Sequence, residues 1–379
     1  MHDLVKPAGA TAHAISRPTF IGSEIYRRSR YGAQHPLAIP RVSTVMDLRR
    51  AMGWLGDDVF VDSPTATPEQ LARFHDPAYI AALIQAEADQ HVSEEVSRRF
   101  NIGRNGNPIF GEVFRRPATA CGGSILAASL LRNGGIVYSP AGGTHHGRRD
   151  RANGFCYLND PVLGILAFLD QGLRVLYVDV DAHHADGVQD ALSHDPHVLI
   201  ISIHEDGRWP YTGRADDRGG GRARNLPVPP GFNDSELAYL TEKVIAPLAR
   251  AFGPDAIVLQ CGCDGLADDP MSRLELSNGA LWHVVRTIMS LSPRLLVLGG
   301  GGYNPWAVGR CWTGVWATLN SYEIPERLPP EAEAVLRALT WNRRRNEPRP
   351  AHWFTTLRDP PNEGKVREAI QDVAEAALA

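Results

Sequence analysis

The chain has 379 residues, 43% of them hydrophobic and 22% charged, with a formal net charge of -4. That is enough apolar material for a large core, and too little net charge to recruit nucleic acid or an anionic membrane surface through a global field. The start, MHDLVKPAGATAHAISRP, lacks an apolar stretch behind a basic leader, and no later run approaches the roughly eighteen residues of a membrane span, so the expectation is a cytoplasmic chain.

In chain order, residues 1–17 read as a flexible tail, 18–328 as one large domain and 329–379 as a C-terminal extension. Within the domain, short runs rich in Val, Ile and Leu recur: GGIVYS (134–139), RVLYVDV (174–180), HVLIISI (197–203), AIVLQCG (256–262) and RLLVLGGGG (294–302). None alternates apolar with polar residues, which is the pattern of strands covered on both faces. Segments with three- and four-residue apolar spacing lie between them, as at Ser235–Phe252 and Asn278–Ser290. Strands alternating with helices predict an α/β fold, three αβα layers around a central, mostly parallel sheet. The Pro- and Arg-rich stretch RRRNEPRPAHW reads as extended chain, and a last amphipathic helix is expected from about Gly364.

The polar residues cluster just after these runs. Ser139 is followed by PAGGTHHG, with His145 and His146; the next run ends in YVDVDAHHADG, with Asp179, Asp181, His183 and Asp186. HEDGRWPYTG follows Ile203, QCGCDGLADDP with Asp264 follows Leu259, and GGGGYN with Tyr303 follows Leu298. Ligands of open α/β sheets bind outside the carboxyl ends of the strands, so five such ends point to one rim. Residues two apart on extended chain project to the same side, which aligns Asp179, Asp181 and His183. Asp181 with His183 makes an N/O pair for zinc, and Asp264 is the natural third ligand, leaving a position open for water. A solvated turn is the competing reading, and the fully apolar strand before it argues against solvation. The cysteines (Cys121, Cys156, Cys261, Cys263, Cys311) read as reduced, buried thiols, because the C-x-C pair has no second pair to complete a thiolate site.

In their order along the chain, HPLAIPR, FHDPAYI, GGTHHG, GFCYLND, YVDVDAHHADGV, QCGCDGLADDP and LGGGGYN resemble the zinc-dependent histone deacetylase superfamily, and within it the bacterial acetoin-utilisation-type members. The resemblance runs from about Tyr31 to Asn320 and implies an arginase/deacetylase-like fold that hydrolyses acetyl or short acyl groups from lysine ε-amines in proteins, with small acetylated amines such as polyamines as the alternative substrates. It implies zinc on Asp181, His183 and Asp264, one ion per chain. It also implies His146 as general base and acid, His145 as chiefly electrostatic, Asp179 and Asp186 as the acids behind them, and Tyr303 as the donor to the substrate carbonyl. Gly154, Phe155, Trp209, Met271 and Gly301 are the implied substrate-binding positions. A potassium ion is implied on Asp179, Asp181, His183, Ser202 and Ile203, and a second around Leu192, Asp195 and Val198.

His184, His75 and His35 read as structural, and Arg41 either lines an internal channel or holds loop carbonyls. Two departures stand out: Gly106, between Asn105 and Asn107 in RNGNP, occupies the place where the family often has a peptide-gripping Asp, and Tyr211 adds an aromatic to the Pro210–Gly213 turn. A binuclear ureohydrolase is excluded by Leu266, which stands where a second D-x-D would need an acid, and a non-catalytic binding module is disfavoured because no ligand has been lost. Glu205, Asp206, Asp268 and Asp269 predict an acidic mouth that favours cationic substrates.

Overall fold

The computed structural model describes residues 17–343 and 348–379, so all of the expected tail but Arg17, and most of the basic run at 343–345, lie outside the described residues. Eight strands form one sheet: β1 (Thr19–Gly22), β2 (Phe60–Asp62), β3 (Gly135–Ser139), β4 (Val175–Asp179), β5 (Val198–Glu205), β6 (Ala223–Val228), β7 (Ala256–Gln260) and β8 (Arg294–Leu298). Their order is β2-β1-β3-β8-β7-β4-β5-β6, and every pairing is parallel.

The five apolar runs are β3, β4, β5, β7 and β8. β4, β5 and β7 are buried along their whole length, because alternate residues enter two different cores. Leu176, Val178, Leu199 and Ile201 pack on one face, with the helices Val42–Ala51, Asn278–Ile288, Pro305–Leu319 and Glu368–Leu378. Val175, Tyr177, Val198 and Ile200 pack on the other, with Arg115–Leu130, Asp160–Leu169 and Asp186–Leu192. Each such side chain contributes about 1.5–3 kcal/mol on burial, so a polar residue in mid-strand would be costly on either face. β1, β2 and β6 escaped the periodicity reading: the first two are short, and ARNLPV carries Arg, Asn and Pro. β6 is an edge strand, where the missing N–H of Pro227 is tolerated.

The expected helix Ser235–Phe252 is three pieces, Asp234–Leu240, a π turn at Thr241–Ile245 and Ala246–Phe252. Pro247 has no N–H for the carbonyl one turn back and its ring crowds that carbonyl, and a wider turn relieves both. The last helix starts at Glu368 rather than near Gly364, because the preceding residues tie the extension to the domain: Gly364 N–H donates to Ser235 Oγ (3.2 Å) and Arg367 pairs with Glu236 (2.6 Å). All five cysteines are free and buried. Among the described residues no helix is long and apolar enough to cross a membrane.

Candidate active site

Because every strand runs the same way, the loops after β3, β4, β5, β7 and β8 open on one rim, and the polar residues of the five loops meet there. At the end of β4 the backbone holds the acids. Asp179 Oδ1 accepts the N–H of Asp181 (3.0 Å), and Asp181 Oδ1 accepts the N–H of His183 (3.0 Å). Asp181 Oδ2 is held by Gln260 Nε2 (2.9 Å) and the N–H of Gly301 (2.8 Å). Asp264, 81 residues from His183, reaches the same point: its Oδ1 accepts the N–H of Ala182 (2.9 Å) and its Oδ2 lies 3.0 Å from His183 Nδ1. His183 Nδ1 is also 3.1 Å from Asp181 Oδ1. Gly301 has to be glycine, since a Cβ there would collide with the carboxylates of Asp264 and Asp181.

One ligand atom from each of Asp181, His183 and Asp264 lies within 4.8 Å of the others, and all three residues are buried. Among the described residues these carboxylates have only histidines as ion-pair partners. Burial and the neighbouring Asp181 charge both raise the pKa of Asp264. Two buried carboxylates facing one imidazole, with no Lys or Arg to balance them, are the donor set of a divalent cation and fit zinc.

The tandem histidines form two adjacent dyads, with ring centroids 3.9 Å apart and ring planes tilted by 50°. His145 Nδ1 is 2.8 Å from Asp179 Oδ2, and His146 Nδ1 is 2.6 Å from Asp186 Oδ1. Their protonation differs. Burial alone would depress His145, but the carboxylates of Asp179 and Asp181 outweigh it and raise it to about 9. Burial and the adjacent His145 charge lower His146 to about 4, against the pull of Asp186. His146 is thus neutral beside a charged neighbour. Its Nδ1 carries the proton towards Asp186, and its Nε2 has no hydrogen-bond partner among the described residues.

Tyr303 is buried, and its N–H donates to Asp269 Oδ2 (2.6 Å). Its hydroxyl has no hydrogen-bond partner among the described residues, and the residue lines two neighbouring cavities that share His146, Gly154, Phe155 and His183 in their walls. The outer one, about 690 Å³, is lined by His146, Gly154, Phe155, His183, Trp209, Met271 and Tyr303, which brings four of the five expected substrate-binding residues together. The fifth, Gly301, lines the inner cavity with Arg41, whose Nη1 donates to Gly300 O (2.6 Å); both readings of that arginine coexist. Asp179 and Ser202 stand opposite each other in the β4–β5 register, and Ile203 follows Ser202 on β5. Leu192, Asp195 and Val198 share the turn before β5, where Asp195 N–H donates to Leu192 O and Val198 N–H to Asp195 O.

The three histidines expected to be structural are held by hydrogen bonds within the fold. His184 sits between Thr212 Oγ1 (2.9 Å) and Gln189 Oε1 (3.1 Å), and His75 Nε2 accepts the N–H of Asn159 (3.0 Å). His35 Nδ1 accepts the N–H of Leu37 (3.0 Å), so its Nε2 donates to Gly106 O (2.9 Å).

Of the four acids expected to make the mouth acidic, Asp206 alone is exposed, next to Gly207, which lines the mouth. Glu205 is buried, and both Arg208 and Arg273 pair with it. Asp269 faces inward on the N–H groups of Tyr303 and Met271, and Asp268 takes the indole N–H of Trp353 (2.8 Å). The charged residues that line the mouth are Arg208 and Arg273. Apart from Asp206, the acids read as exposed stand at the end of β5 or in a loop whose carboxylates are taken up by protein N–H groups, which adjacency in sequence does not reveal. Also missed were Gln260, Tyr177, whose hydroxyl bonds Asp179 Oδ2 (2.5 Å), and Arg148, which pairs with Asp186. Gln260 had a signal, a lone amide ending an apolar strand.

The histone deacetylase domain model matches residues 35–319. The chain is 36% identical to histone deacetylase 9 of Arabidopsis thaliana, over 79% of this chain and 72% of that protein, and 34% identical to human histone deacetylase 1, over 79% and 64%. The alignment therefore spans about two thirds of the curated relatives' length. The crystal structure of a histone deacetylase homologue from Aquifex aeolicus superposes with a TM-score of 0.91 at 35% identity, covering 96% of this chain and all of that one. With the buried Asp–His–Asp cluster at the strand ends of this parallel sheet, these matches lead to one conclusion: the chain belongs to the histone deacetylase family, whose members are zinc-dependent hydrolases.

Proposed function

We propose that the chain deacetylates lysine ε-amines in proteins with loose sequence preference, using one zinc ion held by Asp181, His183 and Asp264. The observation that carries this reading is that two unbonded groups of opposite function, His146 Nε2 and the Tyr303 hydroxyl, belong to residues lining the same cavity as the donor cluster. Bound there, zinc supplies a Lewis acid that polarises the acyl carbonyl and brings the pKa of water towards neutrality. Neutral His146 takes the proton of the attacking water at Nε2 and returns it to the departing amine, its tautomer fixed by Asp186. Charged His145, anchored by Asp179, steadies the negative charge that builds up without itself accepting a proton. Tyr303 donates its hydroxyl to the carbonyl oxygen as charge develops there. Phe155, Trp209 and Met271 wall the lysine methylenes, and the ring of Trp209 lies 4.6 Å from that of His146. A potassium ion on Asp179, Asp181, His183, Ser202 and Ile203 belongs to the same reading, since Asp179 is buried beside the cluster and directly opposite Ser202.

The mouth supports the protein reading over the polyamine one. It is lined by Arg208 and Arg273, which share the single buried carboxylate of Glu205, so one positive charge is left over to face the free ammonium groups of an acetylpolyamine, whereas an acetyl-lysine side chain is neutral. The weak sequence preference follows from Gly106, which offers no carboxylate to grip peptide N–H groups. A side-by-side kcat/KM comparison of acetyl-lysine peptides with acetylputrescine and acetylspermidine tests the assignment: the peptides should win, and polyamines faster by more than about tenfold would overturn it.

A further inference from the structure

The inner cavity holds more positive charge than the chemistry above uses. Arg41 and Arg116 both line it, and among the described residues neither has a carboxylate within ion-pair distance. Arg116 Nη1 donates to Ser29 O (2.9 Å), and its guanidinium lies 5.2 Å and 5.6 Å from the ring centres of Tyr26 and Tyr31. Arg41 is tied to the reaction centre through the chain itself: it holds Gly300 O, and the next residue's N–H holds Asp181. Tyr26 lines the same cavity, and its buried hydroxyl has no hydrogen-bond partner. A buried polar group without a partner is costly, and two guanidinium groups without a counter-charge more so, unless an anion completes the site.

We propose that the chain also hydrolyses short lysine acyl groups that end in a carboxylate, of the succinyl class, with that carboxylate held by Arg41, Arg116 and the Tyr26 hydroxyl. The proposal rests on the hydrolytic reading above and extends it to a second acyl class. Space agrees with it. The cavity offers about 60 Å³, and at about 10–15 Å³ for each water-sized occupant it takes the few extra atoms of a succinyl group but no long alkyl chain. Its apolar wall, with Leu37, Pro117, Ala120 and Ala141, suits the methylenes between the two carbonyl carbons. The reaction is the same hydrolysis: the water oxygen bonds to the acyl carbon, the C–N bond breaks, the proton passes through His146 to the amine, and a dicarboxylate leaves.

The test uses the full-length, zinc-loaded protein and one peptide carrying acetyl-, succinyl- or succinamyl-lysine, the last being the neutral amide of the succinyl group. Succinyl should exceed succinamyl in kcat/KM by about tenfold or more, as two charge-assisted contacts require, and Arg116→Met should bring that ratio towards one while Arg116→Lys keeps most of it. A wild-type ratio below about tenfold overturns the proposal, as does a ratio that Arg116→Met leaves unchanged. Should Arg116→Met not fold, the wild-type ratio decides alone. Free succinate is compared with succinamate as an inhibitor of acetyl turnover; inhibition by succinate without cleavage of the succinyl peptide identifies a product site and overturns the proposal. Loss of acetyl turnover as well would sink the hydrolytic reading itself, whereas acetyl turnover without charge discrimination sinks only this extension.

Discussion

The reaction centre and the mouth are built from the same five loops and differ in how their charges are held. At the centre, each carboxylate is pinned by backbone N–H groups or a buried amide and shares its charge with a histidine, as Asp181 does with Gly301, Gln260 and His183. At the mouth, the only carboxylate among these contacts is consumed inside, where Glu205 is held by Arg208 and Arg273, and what faces the opening is arginine and aromatic surface. Fixed, desolvated charge directs chemistry, and partly solvated charge sorts substrates. Damage to the centre should therefore abolish turnover, and damage to the mouth should redistribute it.

The largest effect is expected from the donor cluster. Asp181→Asn or His183→Ala removes one of three ligands, and both bound zinc and activity should disappear; elemental analysis should fall from one ion per chain to nearly none, and two tightly held transition metals in active wild type would break the assignment. Next comes Tyr303→Phe, which keeps the metal and the fold while kcat falls by about a hundred- to a thousandfold with KM little changed, because the lost donor acts on the transition state. A kcat near wild type would remove Tyr303 from the mechanism.

The scaffold behind the tandem histidines should respond to acid. Burial lowers His75 to about 4, and Asn159, whose N–H it accepts, in turn holds the carbonyls of His145 and Gly147. A histidine whose folded pKa lies below its unfolded value stabilises the fold fully above about pH 6.5, and that stability is lost as pH falls towards 4, a loss of about 3 kcal/mol for this group. Urea unfolding at pH 7 and 4.5 measures it; His75→Gln should flatten the difference, and an undiminished pH dependence would show that other groups carry it. The smallest effect is expected at the mouth. Gly106 has φ +81°, and a Cβ there would lie 2.6 Å from Phe155 Cε1. Gly106→Asp should cost about 1–3 kcal/mol in strain and raise KM through a displaced Phe155, without improved peptide binding. Tighter binding would mean that the loop refolds around the new acid.

Local pattern made the chemistry legible. Two-residue spacing aligned Asp181 with His183, unbroken apolar runs identified five of the eight strands, and strand-end position singled out the loops that matter. The short and edge strands were invisible because they have too few buried positions to impose a pattern. The mouth was misread because charge in a sequence carries no sign of depth: Glu205 and Asp206 are neighbours in the chain, yet one is a buried strand residue and the other is exposed.

The sequence by itself determined the layered parallel frame and which polar side chains gather at its strand ends, since both depend on spacing within a few residues and on the burial of continuous apolar runs. Tertiary structure alone decided that the pKa values of the two tandem histidines are pushed in opposite directions, which charged residues line the mouth, why an acid does not fit at Gly106, and that Arg116 faces the inner cavity with Arg41. Each of these depends on distances between segments remote in the chain and on how much water is excluded between them, and electrostatic energies change several-fold with that exclusion.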